Sequence, residues 1–229
     1  MIKIKKTDVY GFESAIRGMR NSWNSWDKSD SDYNSWGTSN GHTDLYVIGE
    51  NDLALMKKLS KAGTDHSKYL RMINVTCDIT APLYWWKEFS TYKVGTVANS
   101  CSTMHTIADK EFTLDDFSCE HLDDIFRLVL PINEYGTEEV IVTHKSWLKH
   151  TIFVLNCIRA KYLETQDKHW WWQIIQLLPS SYNQKRTVQL NYQVLKSMYH
   201  SRKNHRLDEW HTFCEWVEGL PYSELITEG

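Results

Sequence analysis

No apolar run in the sequence approaches about 18 residues, the length that a membrane-spanning helix requires. The N-terminal residues carry charges but are not followed by a long apolar stretch, so a secretory signal is not expected. We therefore expect a soluble protein of the cytoplasm that neither spans nor enters a membrane.

Cysteine is scarce and does not occur in pairs. The five cysteines are an odd number and never form a C-x-x-C motif, which predicts free thiols in a reducing compartment. The ten histidines are spread along the chain without a carboxylate or cysteine at ligand spacing, so no metal site is expected. The cysteines are Cys77, Cys101, Cys119, Cys157 and Cys214.

The sequence also lacks an excess of positive charge. Its 26 Lys and Arg residues stand against 29 Asp and Glu residues, a formal net charge of -3, which gives no general attraction to DNA, RNA or an anionic membrane. A glycine-rich phosphate loop is absent as well. A nucleic-acid partner is therefore not expected.

Large aromatic residues, in contrast, are abundant. The 11 Trp and 12 Tyr predict flat aromatic surfaces in a pocket or a subunit interface, although a core of large residues would use them too. A chain of 229 residues, 41% of them hydrophobic, fits a single domain over residues 1–229. Residues 20–44 are rich in Ser, Asn, Asp and Gly but carry three Trp, which predicts a long loop acting as a lid or an interface.

Periodicity predicts an α+β fold. Alternation of apolar and polar residues predicts an edge strand over residues 1–10 and a half-buried strand over 69–80. Most other segments have helical spacing, so the fold class is a small, mainly antiparallel sheet packed with several long helices. The predicted helices span residues 12–19, 51–63, 82–89, 114–130, 137–164, 167–178, 188–202 and 207–217.

Residues 78–107 combine a strand end, Ala81-Pro82, an aromatic-rich helix and a polar run that ends before His105. An apolar platform followed by small hydrogen-bonding side chains suits the wall of a pocket for a planar polar ligand. A buried helix followed by a turn and a solvated loop would have the same composition. The polar run is Asn99, Ser100, Cys101, Ser102 and Thr103.

The C-terminal third adds a second set of spaced residues: Leu178-Pro179, Asn191, Arg202 eleven residues later, and then Leu207 and Trp210. Together with residues 78–107, this order of parts resembles the flavin-dependent thymidylate synthases. The resemblance covers about residues 50–218 and rests on spacing more than on identity.

The resemblance implies an α+β homotetramer that holds FAD at sites between subunits. It also implies methylation of dUMP to dTMP, with a methylene group from methylene-tetrahydrofolate and reducing power from NADPH. Carried over residue by residue, it implies that His66 and Asn191, the latter on the penultimate helix, contact the flavin. Arg202 would contact the uracil ring and is the candidate catalytic residue.

The central motif departs from the family. Thr91-Tyr92-Lys93 stands where the family has Arg-His-Arg, so that only Lys93 keeps a charge for the cofactor, without the bidentate fork of Arg. The family's nucleotide-gripping residues are replaced by the polar run 99–103, whose neutral hydroxyls form weaker bonds to phosphate than charged groups do. This predicts a divergent enzyme of pyrimidine nucleotide metabolism with altered or lost classical activity.

Several alternatives stay open. The same fold could bind or sequester a nucleotide without catalysis, or act as a structural oligomer through its Trp-rich surfaces. His66 could bond locally in a turn, and Arg202 could be a solvated cation at a helix C-terminus. Cys101 could be a nucleophile with His105 as its base, although a buried inert thiol is more common.

Overall fold

The computed structural model describes residues 1–34, 45–125, 127–131 and 139–228. None of the helices in these ranges is both long and apolar enough to cross a membrane. The elements in chain order are β1 Lys3–Tyr10, α1 Phe12–Arg20, β2 Asp32–Asn34, β3 Leu45–Val47, α2 Glu50–Lys61, β4 Asn74–Pro82, α3 Leu83–Phe89, β5 Val97–Ser100, α4 Thr103–Thr106, β6 Arg127–Pro131, β7 Glu139–Thr143, α5 His144–Thr165, α6 Lys168–Leu177, β8 Asn183–Asn191, α7 Tyr192–Arg202, α8 Asp208–Glu218 and α9 Glu224–Thr227.

The chain divides into two compact units. The sheet unit comprises Ile2–Ile79, Phe89–Asn99 and Arg186–Gly229, and the α5 unit comprises Met1, Thr80–Glu88 and Ser100–Lys185. The α+β fold class predicted from periodicity is confirmed. A single domain over the whole chain stays a prediction.

The sheet unit holds most of a four-stranded antiparallel sheet in the order β1-β4-β8-β5. β1 lies at one edge, as predicted. In β4 the side chains of Val75, Cys77 and Ile79 are buried and alternate with half-buried neighbours, which confirms the predicted alternation. The predicted strand began too early, because Lys68–Met72 forms a 3₁₀ helix before β4.

β8 corrects a prediction. The helix expected over residues 188–202 begins only at Tyr192, because Asn183–Asn191 is a strand that buries Gln184, Val188 and Leu190 on one face. Val188, Leu190 and the aromatic or aliphatic residues after them also suit helical spacing. Over so short a run the spacing of apolar residues fits a helix and a strand equally well, and pairing with the neighbouring strands decides for the strand.

Helix α7 packs against other helices of the sheet unit. This helix contacts α8 and α9 and buries Leu195 and Met198. Lys196 of α7 donates to the carbonyl and hydroxyl oxygens of Ser60 at 2.7 and 3.0 Å, and burial lowers the pKa of this lysine. These two bonds join the middle of α7 to the last turn of α2.

The first part of the predicted loop is structured. Asn21–Trp23 and Trp26–Lys28 form 3₁₀ turns, and β2 pairs antiparallel with β3. These turns are tied to α2 by the buried Asp52, which accepts from Arg20, Ser29 and Ser31 at 2.6 Å each. Residues 35–44 of this loop lie outside the described residues, so its role as a lid or interface stays a prediction.

The α5 unit is built on the packing of α5 against α6. α5 has 22 residues and begins with a capping box at Thr143, whose hydroxyl accepts from the Ser146 amide at 3.1 Å. The core of the unit consists of Ile107, Phe112, Phe117, Leu148, Ile152, Leu155 and Ile174.

Two helix predictions in this unit are corrected. Over residues 114–130 the described residues form a 3₁₀ turn at Leu114–Asp116, an isolated bridge from Phe117 to Tyr182, and strand β6. α5 starts at His144 instead of residue 137, because Glu139–Thr143 pairs antiparallel with β6. In both segments, a run of apolar or β-branched residues whose spacing would also fit a helix forms a strand instead.

Candidate functional site

A basic cavity lies at the N-terminal end of α7 in the sheet unit. It has a volume of about 650 Å³. Two predicted cofactor residues, Lys93 and Asn191, both line it. Its other lining residues come from three separate segments and are Thr64, Arg71, Thr91, Tyr92, Val94, Gly95, Gln193, Val194 and Ser197.

Asn191 is placed by the junction between β8 and α7. It was predicted to lie on a helix, but it is the last residue of the strand and the N-cap of the helix. Its side-chain oxygen accepts from the Val194 amide at 3.0 Å, which satisfies one of the free donors of the first turn. The side-chain oxygen is therefore committed to the helix, and the amide nitrogen is the group that faces Gly95.

Gly95 lets the loop that carries Lys93 approach this helix. Its backbone is left-handed, with φ of +77°, and a Cβ atom there would lie 2.8 Å from the Asn191 amide nitrogen and 3.0 Å from a methyl carbon of Val194. A side chain at this position would be strained in both respects. The glycine thus keeps Lys93 and Asn191 in one cavity.

A third segment, residues 64–72, closes the cavity from another side. The hydroxyl of Ser67 donates to the side-chain oxygen of Gln193 at 2.9 Å, and Ser67 is almost fully buried. This bond ties the segment to α7, and Thr64 and Arg71, which lie on either side of Ser67 in sequence, both line the cavity. Sequence analysis missed Arg71, because only tertiary contact distinguishes it from other surface arginines.

The charges of the basic cavity are of one sign. Arg71 and Lys93 supply two cations, and the described residues that line the cavity include no Asp or Glu. Thr64, Thr91 and Ser197 also line the cavity, and the Ser197 hydroxyl donates to the backbone carbonyl of Gln193 at 3.2 Å. The helix N-terminus after Asn191 adds a positive dipole end. Such a donor set suits a phosphorylated or otherwise anionic ligand.

His66 lines a different cavity. This second cavity has a volume of about 500 Å³, and Asp65, Lys68 and the highly exposed Trp23 also line it. The structure therefore places His66 apart from Lys93 and Asn191, although the segment that carries it contributes to both cavities. Its predicted contact with the flavin stays a prediction.

Arg202 is held by aromatic rings at the C-terminal end of α7. Its Nε donates to the Tyr92 hydroxyl at 2.9 Å, and its guanidinium carbon lies 4.8 Å from the Trp210 ring centroid and 5.6 Å from that of Tyr92. Cation–π stacking of this kind contributes about 0.5–2 kcal/mol. Arg202 is therefore not simply a solvated helix end, and it joins Tyr92 of the altered central motif to α8.

The polar run is divided between the two units. Asn99 is exposed on β5 in the sheet unit, whereas Ser100, Cys101, Ser102 and Thr103 belong to the α5 unit. There the carbonyl of Cys101 and the hydroxyl of Thr103 both accept from the side-chain amide of Gln184, at 2.9 and 3.1 Å. The role of this run as a nucleotide shelf stays a prediction.

The described residues contain no group of three or more His, Cys, Asp or Glu side chains that could hold a metal ion. A search of protein families found no match, and no curated protein matched the sequence. Solved structures do match.

Thymidylate synthase X from Helicobacter pylori, solved with FAD and dUMP, aligns with a TM-score of 0.64 at 14% identity over 99% of this chain and 97% of that chain. The chain has the fold of the flavin-dependent thymidylate synthases. The resemblance inferred from sequence spacing is thus confirmed at the level of the fold.

The UMP/dUMP methylase PolB from Streptomyces cacaoi, bound with 5-Br dUMP, has the same fold. It aligns with a TM-score of 0.60 at 16% identity, over 100% of this chain and 95% of that chain. At such low identity the thymidylate synthase X fold is shared while most side chains differ. The chemistry of the chain therefore depends on the residues that line its own cavities.

Proposed function

We propose that this chain is a divergent flavin-dependent methylase of uridine nucleotides, and that the basic cavity binds the phosphorylated part of the flavin cofactor. One observation carries the proposal. Lys93 and Asn191, which the resemblance assigns to the cofactor, line the same cavity although they lie 98 positions apart in the sequence (191 − 93). Arg71 adds a second cation that the resemblance did not assign.

The residues of the cavity fit FAD by their chemistry. The diphosphate of FAD carries two negative charges, which Arg71 and Lys93 would balance, and the hydroxyl and amide side chains would donate to its oxygens. The bound flavin would supply hydride chemistry to a uridine nucleotide. Because Lys93 is a point charge in place of an arginine fork, its contact with phosphate would be less directional and more sensitive to salt.

The remaining functional residues are part of the proposal. Arg202 would contact the uracil ring, His66 the flavin, and the polar run Asn99, Ser100, Cys101, Ser102 and Thr103 the nucleotide. NADPH and methylene-tetrahydrofolate would be the co-substrates, and a homotetramer in the cytoplasm the working form. The two neighbouring structures, solved with dUMP or 5-Br dUMP, support a pyrimidine nucleotide as the substrate class.

The test is a titration of the purified protein with FAD, followed at about 450 nm, where oxidised flavin absorbs. We expect Arg71→Met and Lys93→Met each to weaken FAD binding about 10-fold, and the double variant about 100-fold, because each removes a charge-assisted contact. Lys58→Met is the matched control, since Lys58 is exposed on α2 and does not line the cavity. It should leave the affinity unchanged.

Two results would count against the proposal. Wild-type protein that retains no flavin after desalting would exclude a flavin enzyme. A double variant that binds FAD as well as the wild type would exclude the basic cavity as the site. If FAD binds as expected, methylation of dUMP is then assayed with NADPH and methylene-tetrahydrofolate.

A second candidate function is nucleotide binding without catalysis. It is favoured by the altered central motif, because Thr91-Tyr92-Lys93 keeps one cation for the flavin whereas Arg202, the proposed uracil-binding residue, is retained. Flavin-free protein should then be stabilised against heat by dUMP. Stabilisation by dUMP together with failure to retain FAD would favour this candidate over the methylase.

A further inference from the structure

The sheet unit contains another cavity whose lining is aromatic instead of basic. It has a volume of about 690 Å³ and lies where the end of β1, the start of α1 and the residues before α9 meet. We call it the tyrosine cavity. Four of its lining residues are tyrosines and one is a phenylalanine: Tyr10, Phe12, Tyr33, Tyr46 and Tyr222.

The rings form two T-shaped pairs. Tyr33 and Tyr46 have centroids 5.0 Å apart with an interplanar angle of 67°, and Phe12 and Tyr222 have centroids 5.2 Å apart at 71°. Such edge-to-face contacts hold the rings of each pair against one another. Tyr10 and Tyr33 are 46% and 47% exposed, so the cavity is open to solvent on their side.

Local bonds hold two of the walls in place. The Tyr222 hydroxyl accepts from the Ile48 amide at 3.1 Å, and the backbone of Tyr222 is left-handed with φ of +51°. A residue other than glycine in this conformation costs free energy that the surrounding contacts must offset. The Tyr33 hydroxyl donates to a carboxylate oxygen of Glu13 at 2.8 Å, which fixes both the ring and the carboxylate.

Glu13 is the charged residue of this cavity. Among the described residues that line it, none is Lys or Arg. The neighbouring cation, Arg17, lies one helical turn further along α1 with its Nη1 3.6 Å from the other oxygen of Glu13, and its side chain is 65% exposed. The cavity lining therefore combines five aromatic rings with one carboxylate, and the nearby cation Arg17 is not part of that lining.

We propose that the tyrosine cavity binds an organic ammonium group, held by the faces of Tyr10, Tyr33 and Tyr222 and by the carboxylate of Glu13. Charge selects this ligand over an anionic nucleotide, because ring faces and a carboxylate attract a cation and repel phosphate. The ammonium group could belong to a small amine or to a methylated lysine side chain of a protein. Both sources share the chemistry that the cavity recognises.

Choline and its neutral isostere 3,3-dimethyl-1-butanol provide the test, with binding measured by calorimetry on the full chain. Choline should bind saturably below about 10 mM, and the isostere at least about 10-fold more weakly, because the two differ only in charge. A peptide containing trimethyllysine provides the second arm. Tighter binding of the peptide than of choline would identify a protein partner, and equal binding a small amine; either result supports an ammonium site.

Variants locate the site. Tyr10→Leu and Tyr33→Leu should each weaken choline binding about 5- to 10-fold, and Glu13→Gln by a similar factor. Tyr10 is exposed, so its replacement should leave the fold intact, as the melting temperature would verify. Trp147→Leu on α5 is the control for loss of an exposed aromatic ring.

Three results would overturn the proposal: no saturable choline binding by the wild-type protein, equal binding of the neutral isostere, or unchanged affinity in the Tyr10→Leu variant.

Discussion

The basic cavity and the tyrosine cavity lie in the same unit and have similar volumes, about 650 and 690 Å³, yet their chemistry is opposite. The basic cavity is lined by two cations and a helix N-terminus, whereas the tyrosine cavity is lined by aromatic rings and one carboxylate. Volume therefore says little about the ligand here, whereas the sign of the lining charge separates an anion site from a cation site.

The two cavities have one backbone feature in common. Each is lined by a glycine with a left-handed backbone, Gly95 in the basic cavity and Gly11 in the tyrosine cavity. A Cβ on Gly11 would lie 2.2 Å from the carbonyl oxygen of Met72, and one on Gly95 would meet the side chain of Asn191. In both places a missing side chain lets two segments meet closely and leaves a cavity beside the contact.

The largest expected loss of stability follows from replacing Asp52, which binds the segment that leads to Tyr33 of the tyrosine cavity. Asp52→Ala should lower the free energy of unfolding by about 3–5 kcal/mol, because it leaves Arg20 buried without its partner and releases the residues that precede Tyr33. Urea denaturation would measure the loss. Asp27→Ala, at an exposed position of the same segment, is the control and should change stability by less than about 0.5 kcal/mol.

The same carboxylate gives stability a pH dependence. Burial by itself would raise the pKa of Asp52, but hydrogen bonds from Ser29, Ser31 and Arg20 outweigh burial and leave the pKa lowered. Its stabilising contribution is therefore complete above the unfolded pKa of about 3.9 and is lost as the pH falls through the lower folded value. The wild type should lose more stability than Asp52→Ala on going from neutral to acidic pH; parallel losses would contradict this account.

A smaller effect is expected at the glycine of the basic cavity. Gly95→Ala should destabilise the protein by about 1–2 kcal/mol, because alanine disfavours the left-handed backbone and its methyl group would press on Asn191 and Val194. Flavin affinity should fall, while choline binding at the tyrosine cavity should not change. If the Gly95→Ala variant lost flavin affinity and choline affinity by the same factor, the two cavities would not be independent.

The smallest effect separates capping from ligand binding at Asn191. Asn191→Ala should cost about 1 kcal/mol by removing the cap of α7, whereas Asn191→Asp keeps an acceptor and suits the helix dipole, so stability should hardly change. The new carboxylate of the Asn191→Asp variant would, however, place a negative charge among the cations of the basic cavity. Thermal unfolding and an FAD titration of both variants would distinguish the roles, and an unchanged FAD affinity in Asn191→Asp would argue against a phosphate near this residue.

Sequence patterns predicted the elements whose burial follows a single period. The alternation in β4 is as expected, and the helices predicted over residues 167–178 and 207–217 lie within one residue of their predicted bounds. The predictions failed at β6 and β8, where short runs fit a helix and a strand equally well and pairing with a distant strand decided between them. Local periodicity contains no information about such partners.

By itself, the sequence determined the fold class and the spacing from Asn191 to Arg202 that indicated the thymidylate synthase fold. Only the tertiary structure decided which charges meet. Arg71 joins Lys93, Arg202 pairs with Tyr92, and Glu13 stands among tyrosines because segments far apart in sequence approach one another around the helices of the sheet unit. Periodicity records which face of an element is buried, whereas the chemistry of a cavity depends on which other elements that face meets.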